Sequence, residues 1–201
     1  MSYSDFNLGS VEKAFGLTIS DRVNLFGDLP ELANSPWLQE TLDYNVPIAL
    51  GSNTEKARSE LIITPILVEL RKQLNSQIGL FSGIDFTVDS SRGLNGNCDF
   101  IISQSPQLLL LRAPVIMLVE AKRENINAGL GQCIAEMVAA QIYNQREETE
   151  VAHIYGVVTT GEIWKFIKLT EKLVQIDLAA YFLNNINKIL AILASAVGRQ
   201  N

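Results

Sequence analysis

Three side chains, Asp99 and the closely spaced Glu120 and Lys122 farther along the chain, have the types and spacing to assemble a hydrolytic centre. Glu120 and Lys122 close the run V-I-M-L-V-E-A-K-R at residues 115–123, whose five leading apolar residues predict a buried strand. Alternation along that strand puts Glu120 and Lys122 on one face and Ala121 on the other, so a carboxylate and an ammonium sit side by side at the rim of a core. Asp99 opens an earlier apolar run, Phe100, Ile101 and Ile102, that can pair with the later strand through a connection around Ser105 and Pro106. A register that sets Asp99 beside Glu120 brings a lysine together with two carboxylates that repel one another. Oxygen-rich sites of this kind suit Mg²⁺ or Mn²⁺. Such an ion lowers the pKa of a water molecule and steadies charge building on a phosphate.

The elements around these residues have to hold them. Ser52-Asn53-Thr54-Glu55 has the form of a capping box and predicts a long helix to about Asn75. Within it Glu60, Ile63, Leu67, Leu70 and Leu74 follow steps of three and four, so Glu60 shares a face with core residues and needs a partner there. A buried salt bridge to Arg58 or Lys122 is one such partner, and a metal ion is the other. Glu55 can play the same part, although capping alone explains it. Pro65 removes a hydrogen bond from this helix and predicts a kink.

Residues 84–88 alternate as a strand, and a turn-rich loop with Gly93 and Gly96 delivers the chain to Asp99. Residues 108–111 form a third apolar run, which completes an antiparallel meander with the chemistry at one end. A helix follows from about Leu130 to Arg146, with Leu130, Ile134, Met137, Val138 and Ile142 on one side and Gln132, Glu136, Ala139 and Tyr143 on the other. Residues 154–159 and 164–169 read as a hairpin, with Trp164 as a core aromatic. A last helix spans about 178–197. Upstream, Ser35-Pro36 starts a short helix carrying Trp37, Leu38 and Leu42.

The order D-x20-E-A-K, with a helix glutamate ahead of it and a helix behind, resembles the PD-(D/E)XK or restriction-endonuclease-like superfamily, most closely its small bacterial members of unassigned role. The resemblance covers roughly residues 52–169. Cys98 stands where the name-giving proline would be, a departure that many members share. It implies an α/β (α+β) fold whose central mixed β-sheet is flanked by helices. Here that core would be residues 51–177 of a single domain, with an N-terminal extension at 1–50 and a C-terminal helix at 178–201.

It also implies a Mg²⁺- or Mn²⁺-dependent endo- or exonuclease acting on nucleic acid, DNA before RNA. Asp99, Glu120, the Ala121 carbonyl and Glu60 would surround the metal. Lys122 would orient the attacking water or stabilise the pentavalent oxygen, Gln132 would stand behind the site or contact the substrate unless its helix face is simply solvated, and a hydroxyl of Thr159 or Thr160 would touch the substrate. Two other readings stand beside this one. The fold can serve as a catalytically silent module binding nucleic acid or protein. Alternatively, Glu120 and Lys122 form a simple ion pair while Asp99 caps a turn.

Composition sets the outer bounds. The 201 residues are 47% apolar and 19% charged, below the ~25% charge of ordinary domains, so a homo-oligomer that covers part of the surface is expected. A net charge of −6 argues against a general-purpose basic nucleic-acid binder, whereas a metal and a few local cations can still offset phosphate charge. Cys98 and Cys133 are too few and too far apart for a zinc cluster and suit a reducing compartment. The polar start and the short apolar stretch at 189–197 predict neither a signal peptide nor a membrane span of ~20 residues, hence a cytoplasmic location.

Overall fold

The computed structural model describes residues 1–149 and 151–198. Its helices are α1 (Leu8–Phe15), α2 (Pro36–Ser52), α3 (Glu55–Arg58), α4 (Thr64–Gln73), α5 (Ile126–Arg146) and α6 (Ile186–Val197). The strands are β1 (Thr18–Val23), β2 (Gly79–Asp85), β3 (Asn97–Ser103), β4 (Val115–Ala121), β5 (Ile154–Thr159), β6 (Ile163–Thr170), β7 (Leu173–Asp177) and β8 (Tyr181–Phe182). All eight join one sheet in the order β1-β7-β6-β5-β4-β3-β2, with β8 on β6. β1–β7 and β4–β5 pair parallel and the others antiparallel, so the sheet is mixed, as expected. Side chains of α2, α4 and α6 pack on one face and those of α1 and α5 on the other. No helix among the described residues is long and apolar enough to cross a membrane.

β4 lies inside the sheet with all seven residues buried, which is why its sequence is apolar without alternation. Its start is pinned by Asn144 of α5, whose side chain accepts from Val115 N at 2.8 Å and donates to Val115 O at 2.7 Å. Its far end carries the charged residues. The meander is β2, β3 and β4, but residues 108–111 take no part in it. They lie in the β3–β4 connection, where Leu109 is 94% exposed.

The long helix expected from Ser52 differs in its origin. Ser52 is the last residue of α2, Asn53 takes a left-handed conformation, and Thr54 caps α3 through Ala57 N at 3.1 Å. Ser59–Ile63 then forms a π turn before α4. Pro65 cannot donate to Leu61 O, and Asn45 of α2 donates to that carbonyl at 3.0 Å instead. The Leu61 carbonyl therefore keeps a partner where the proline supplies none.

Residues 1–50 pack onto the core. β1 extends the sheet beside β7, and α2 crosses the boundary expected at residue 51. The Ser35 cap and Pro36 at the first helical position hold as expected, yet the helix runs for 17 residues because Leu38, Leu42 and Ala49 keep reaching the core. At the amino terminus, Phe6 and Asn7 cross α5 at Gly131, where a Cβ would collide with their main chain. Tyr3, buried by this crossing, donates its hydroxyl to Phe86 O at 2.5 Å. The last helix starts at Ile186 rather than 178, because β8 and a 3₁₀ turn come first.

Candidate active site

β3 and β4 run antiparallel with Phe100 opposite Val119 and Ile101 opposite Leu118, and the next rung sets Asp99 opposite Glu120. Asp99 Oδ2 accepts from Ala121 N at 2.8 Å, which ties this carboxylate to the end of β4. Glu120 faces α5 and is 2% exposed. Its Oε1 receives the Lys122 ammonium at 2.5 Å, while Oε2 is buried without a partner. Lys122 N donates to Thr159 O at 2.8 Å, so the strand pairing continues one residue past β4 and returns the Lys122 side chain to the face of Glu120. Glu120 and Lys122 are thus in direct contact, and Asp99 is bonded to the main chain between them.

Behind them α5 supplies a second row. Lys122 Nζ also donates to Gln132 Oε1 at 3.3 Å, and Gln132 Nε2 donates to Glu136 Oε1 at 3.1 Å. Gln132 lies beside the centre as expected, with Lys122 as its partner there. Glu136 has no exposed surface, and its Oε2 is unpartnered. Sequence reasoning placed Glu136 on a polar face and gave it no role; its i, i+4 spacing from Gln132 was the available signal.

The Lys122 stem crosses the first turn of α5 over Gly129. A Cβ there would stand 2.7 Å from Val158 Cγ1 and 3.1 Å from Lys122 Cε. Gly129→Ala is therefore expected to lift Lys122 away from Gln132 and to cost about 1–3 kcal/mol of stability through overpacking. Thermal melting and the NMR resonance of the Lys122 ammonium check this, and an unmoved resonance would count against it.

Glu60 does not share the core face expected of it: the π turn breaks the steps of three and four, leaving Glu60 exposed and paired with Lys56 at 2.8 Å. Glu55 is free of any capping box, because Thr54 does the capping. Its charge acts on Asp99, Glu120 and Lys122 alike. Both glutamates line a cleft of about 270 Å³ that opens beside Asp99 and Ala121, with Ser82 and Gly83 of β2 on its far side. Larger concavities of about 600 and 630 Å³ lie elsewhere, one lined by Leu42 and Phe182, the other by Gln141 and Glu171. Of the three residues only Asp99 lines the smaller cleft, and none lines the larger two.

Thr159 and Thr160 are not substrate-facing. Their hydroxyls accept from Gly161 N and Ile163 N in the turn after β5, and both residues are buried. Arg58 braces the same turn, donating to Thr160 O at 3.0 Å and pairing with Glu162 at 2.8 Å. Trp164 is a core residue, as expected, with its indole nitrogen on Gly161 O at 2.9 Å.

Acids outnumber bases at this centre, and the energetics follow. Burial and then the charge of Asp99 push the Glu120 carboxyl up to about 7, against the pull of Lys122. Asp99 is also raised, by burial foremost, although the Ala121 N–H and Lys122 oppose this. Glu136 is pushed well above its ordinary value by burial and by Glu120. Burial works against the charge on Lys122, but Glu120 together with Glu55 and Asp99 outweighs it and keeps the ammonium protonated.

A cation fits this chemistry. The carboxylates are hard oxygen donors that repel one another, and a buried Glu120 oxygen stands without a partner. Among the described residues no three His, Cys, Asp or Glu side chains stand together so as to hold a metal ion. Asp99, Glu120 and the Ala121 carbonyl are the groups that could hold the ion, and Glu55 and Glu60 both line the cleft beside Asp99. No protein-family model matches the chain, and no curated protein matches it either.

Proposed function

We propose that this chain is a divalent-metal-dependent nuclease of the PD-(D/E)XK type that hydrolyses phosphodiester bonds in nucleic acid, with DNA as the substrate class. One observation carries the proposal. Asp99, Glu120 and Lys122 converge at the ends of two neighbouring strands, with a buried Glu120 oxygen left unpaired beside the second carboxylate. A plain ion pair has no use for that arrangement, since apolar residues would fill the same space at lower cost.

When bound, the cation would supply Lewis acidity, activating a water molecule and balancing charge on the phosphate. The carboxylates of Asp99 and Glu120 would hold it, with the Ala121 carbonyl as a further oxygen. Lys122 keeps its proton, so it acts as a donor to the attacking water or to a phosphoryl oxygen, not as a base. Gln132 steadies Lys122 from behind. In the reaction the water oxygen bonds to phosphorus, the bond to the leaving sugar oxygen breaks, and the released proton ends on that oxygen or in solvent.

The test is to incubate the protein with single-stranded and duplex DNA in Mg²⁺ or Mn²⁺, with and without chelator, beside Asp99→Ala and Lys122→Ala. Metal-dependent cleavage that is lost in both variants is the expected result. Cleavage that survives both substitutions overturns the proposal. Mn²⁺ binding without cleavage would instead favour the silent binding module.

A further inference from the structure

The geometry points to Glu136 as a positioning residue of this centre: through Gln132 it fixes the orientation of an amide and so the place where the Lys122 ammonium is held. The kinetic part of this inference rests on the nuclease reading; the structural part does not. A glutamine amide has one end that only accepts and one that only donates, and an ammonium only donates. Lys122 therefore needs the oxygen end, at 3.3 Å, while the nitrogen end needs an acceptor, which Glu136 Oε1 supplies at 3.1 Å. Reversing the amide sets two donors face to face at Lys122. With Glu136 in place the amide is held at both ends, and Lys122 is held at two points, Glu120 and Gln132.

The cost of Glu136 marks it as more than a packing residue. It has no exposed surface, one of its oxygens is unpartnered, and its helix neighbours Cys133, Ala135, Met137 and Ala140 are all buried and apolar. An apolar side chain of the same size would suit that environment better. A residue that breaks the local rule without local gain belongs to a site that uses it. Tyr3 and the amino-terminal crossing at Gly131 close the far side of α5, so this carboxyl sits beneath the centre rather than in solvent.

The experiment compares Glu136→Met, Glu136→Gln and the packing control Met137→Leu by three readouts: the NMR resonance of the Lys122 ammonium, assigned by its loss in Lys122→Ala; thermal melting; and steady-state cleavage of DNA in Mn²⁺. Glu136→Met is expected to melt at or above the wild type and to shift the Lys122 resonance. It should also lower kcat by about 10- to 100-fold, with KM changed by less than about twofold. Glu136→Gln keeps an oxygen for Gln132 and should restore most of both signals. An unmoved Lys122 resonance in Glu136→Met overturns the inference, as does equal impairment by Glu136→Gln or an equal shift caused by Met137→Leu. A wild type that cleaves nothing defeats the nuclease reading alone, and the Lys122 resonance then decides the role of Glu136.

Discussion

Asp99→Asn is expected to reduce cleavage by about 100- to 1,000-fold in a protein that melts no lower than the wild type. The substitution separates two jobs of one side chain. Asp99 Oδ2 accepts the Ala121 N–H at 2.8 Å, and the amide oxygen of asparagine can take that bond with little change of shape. What asparagine lacks is the charge. Removing it eases the repulsion that helps push the Glu120 carboxyl up, so the fold loses nothing, whereas the pair of negative oxygens that would grip a divalent ion is broken. Calorimetric titration with Mn²⁺ should show binding lost in Asp99→Asn and retained in Lys122→Ala, although both fail to cleave. An Asp99→Asn protein that still cleaves at the wild-type rate would remove this carboxylate from the chemistry.

Glu120 predicts an unusual dependence of stability on pH. Its folded-state pKa is raised from the ordinary 4.5 to about 7, so between those values the folded chain binds more protons than the unfolded chain. Stability from this group is therefore greatest at acid pH, falls as pH rises through that window, and is fully lost above it. The shift corresponds to at most about 3 kcal/mol. Asp99 and Glu136 are displaced in the same direction and add to the trend. Glu120→Gln should remove the Glu120 share, melting above the wild type at pH 8 and close to it at pH 5. Mg²⁺ or Mn²⁺ at a hundred times its Kd should recover about 2–3 kcal/mol in the wild type at pH 8, and should do little for Glu120→Gln or Asp99→Asn. Parallel melting curves for wild type and Glu120→Gln across that range would show that the carboxyl is not strained.

Several parts of this protein are written locally. Five apolar residues followed by Glu120, Ala121 and Lys122 read as a covered strand with a charged end, because burial on both faces and side-chain alternation are properties of a few adjacent residues. Ser35-Pro36 marks a helix start for the same reason: a cap is a bond to a neighbour three residues away. The runs at 97–103 and 154–170 likewise declared their strands, and pairing the first of them with β4 placed Asp99.

Other features depend on partners far along the chain. β1 is mostly exposed at the sheet edge and finds β7 some 150 residues later, so its own pattern carries little trace of pairing. Residues 108–111 are as apolar as a strand but no neighbour accepts them, and Leu108, Leu109 and Leu110 remain exposed. Counting by helical steps named Glu60 as the helix acid. The π turn beside Pro65 turned that residue off the core face, and it lines the cleft beside Asp99 together with Glu55, one position past the Thr54 cap.

By itself, then, the amino-acid order determined the fold class and put Asp99, Glu120 and Lys122 at the ends of neighbouring strands, since alternation, capping and burial act over a few residues. Only the tertiary structure decided that Glu136 is sealed beneath them. Whether a polar helix face meets water or another segment depends on what is laid across it, and here the amino-terminal stretch crosses α5 at Gly131.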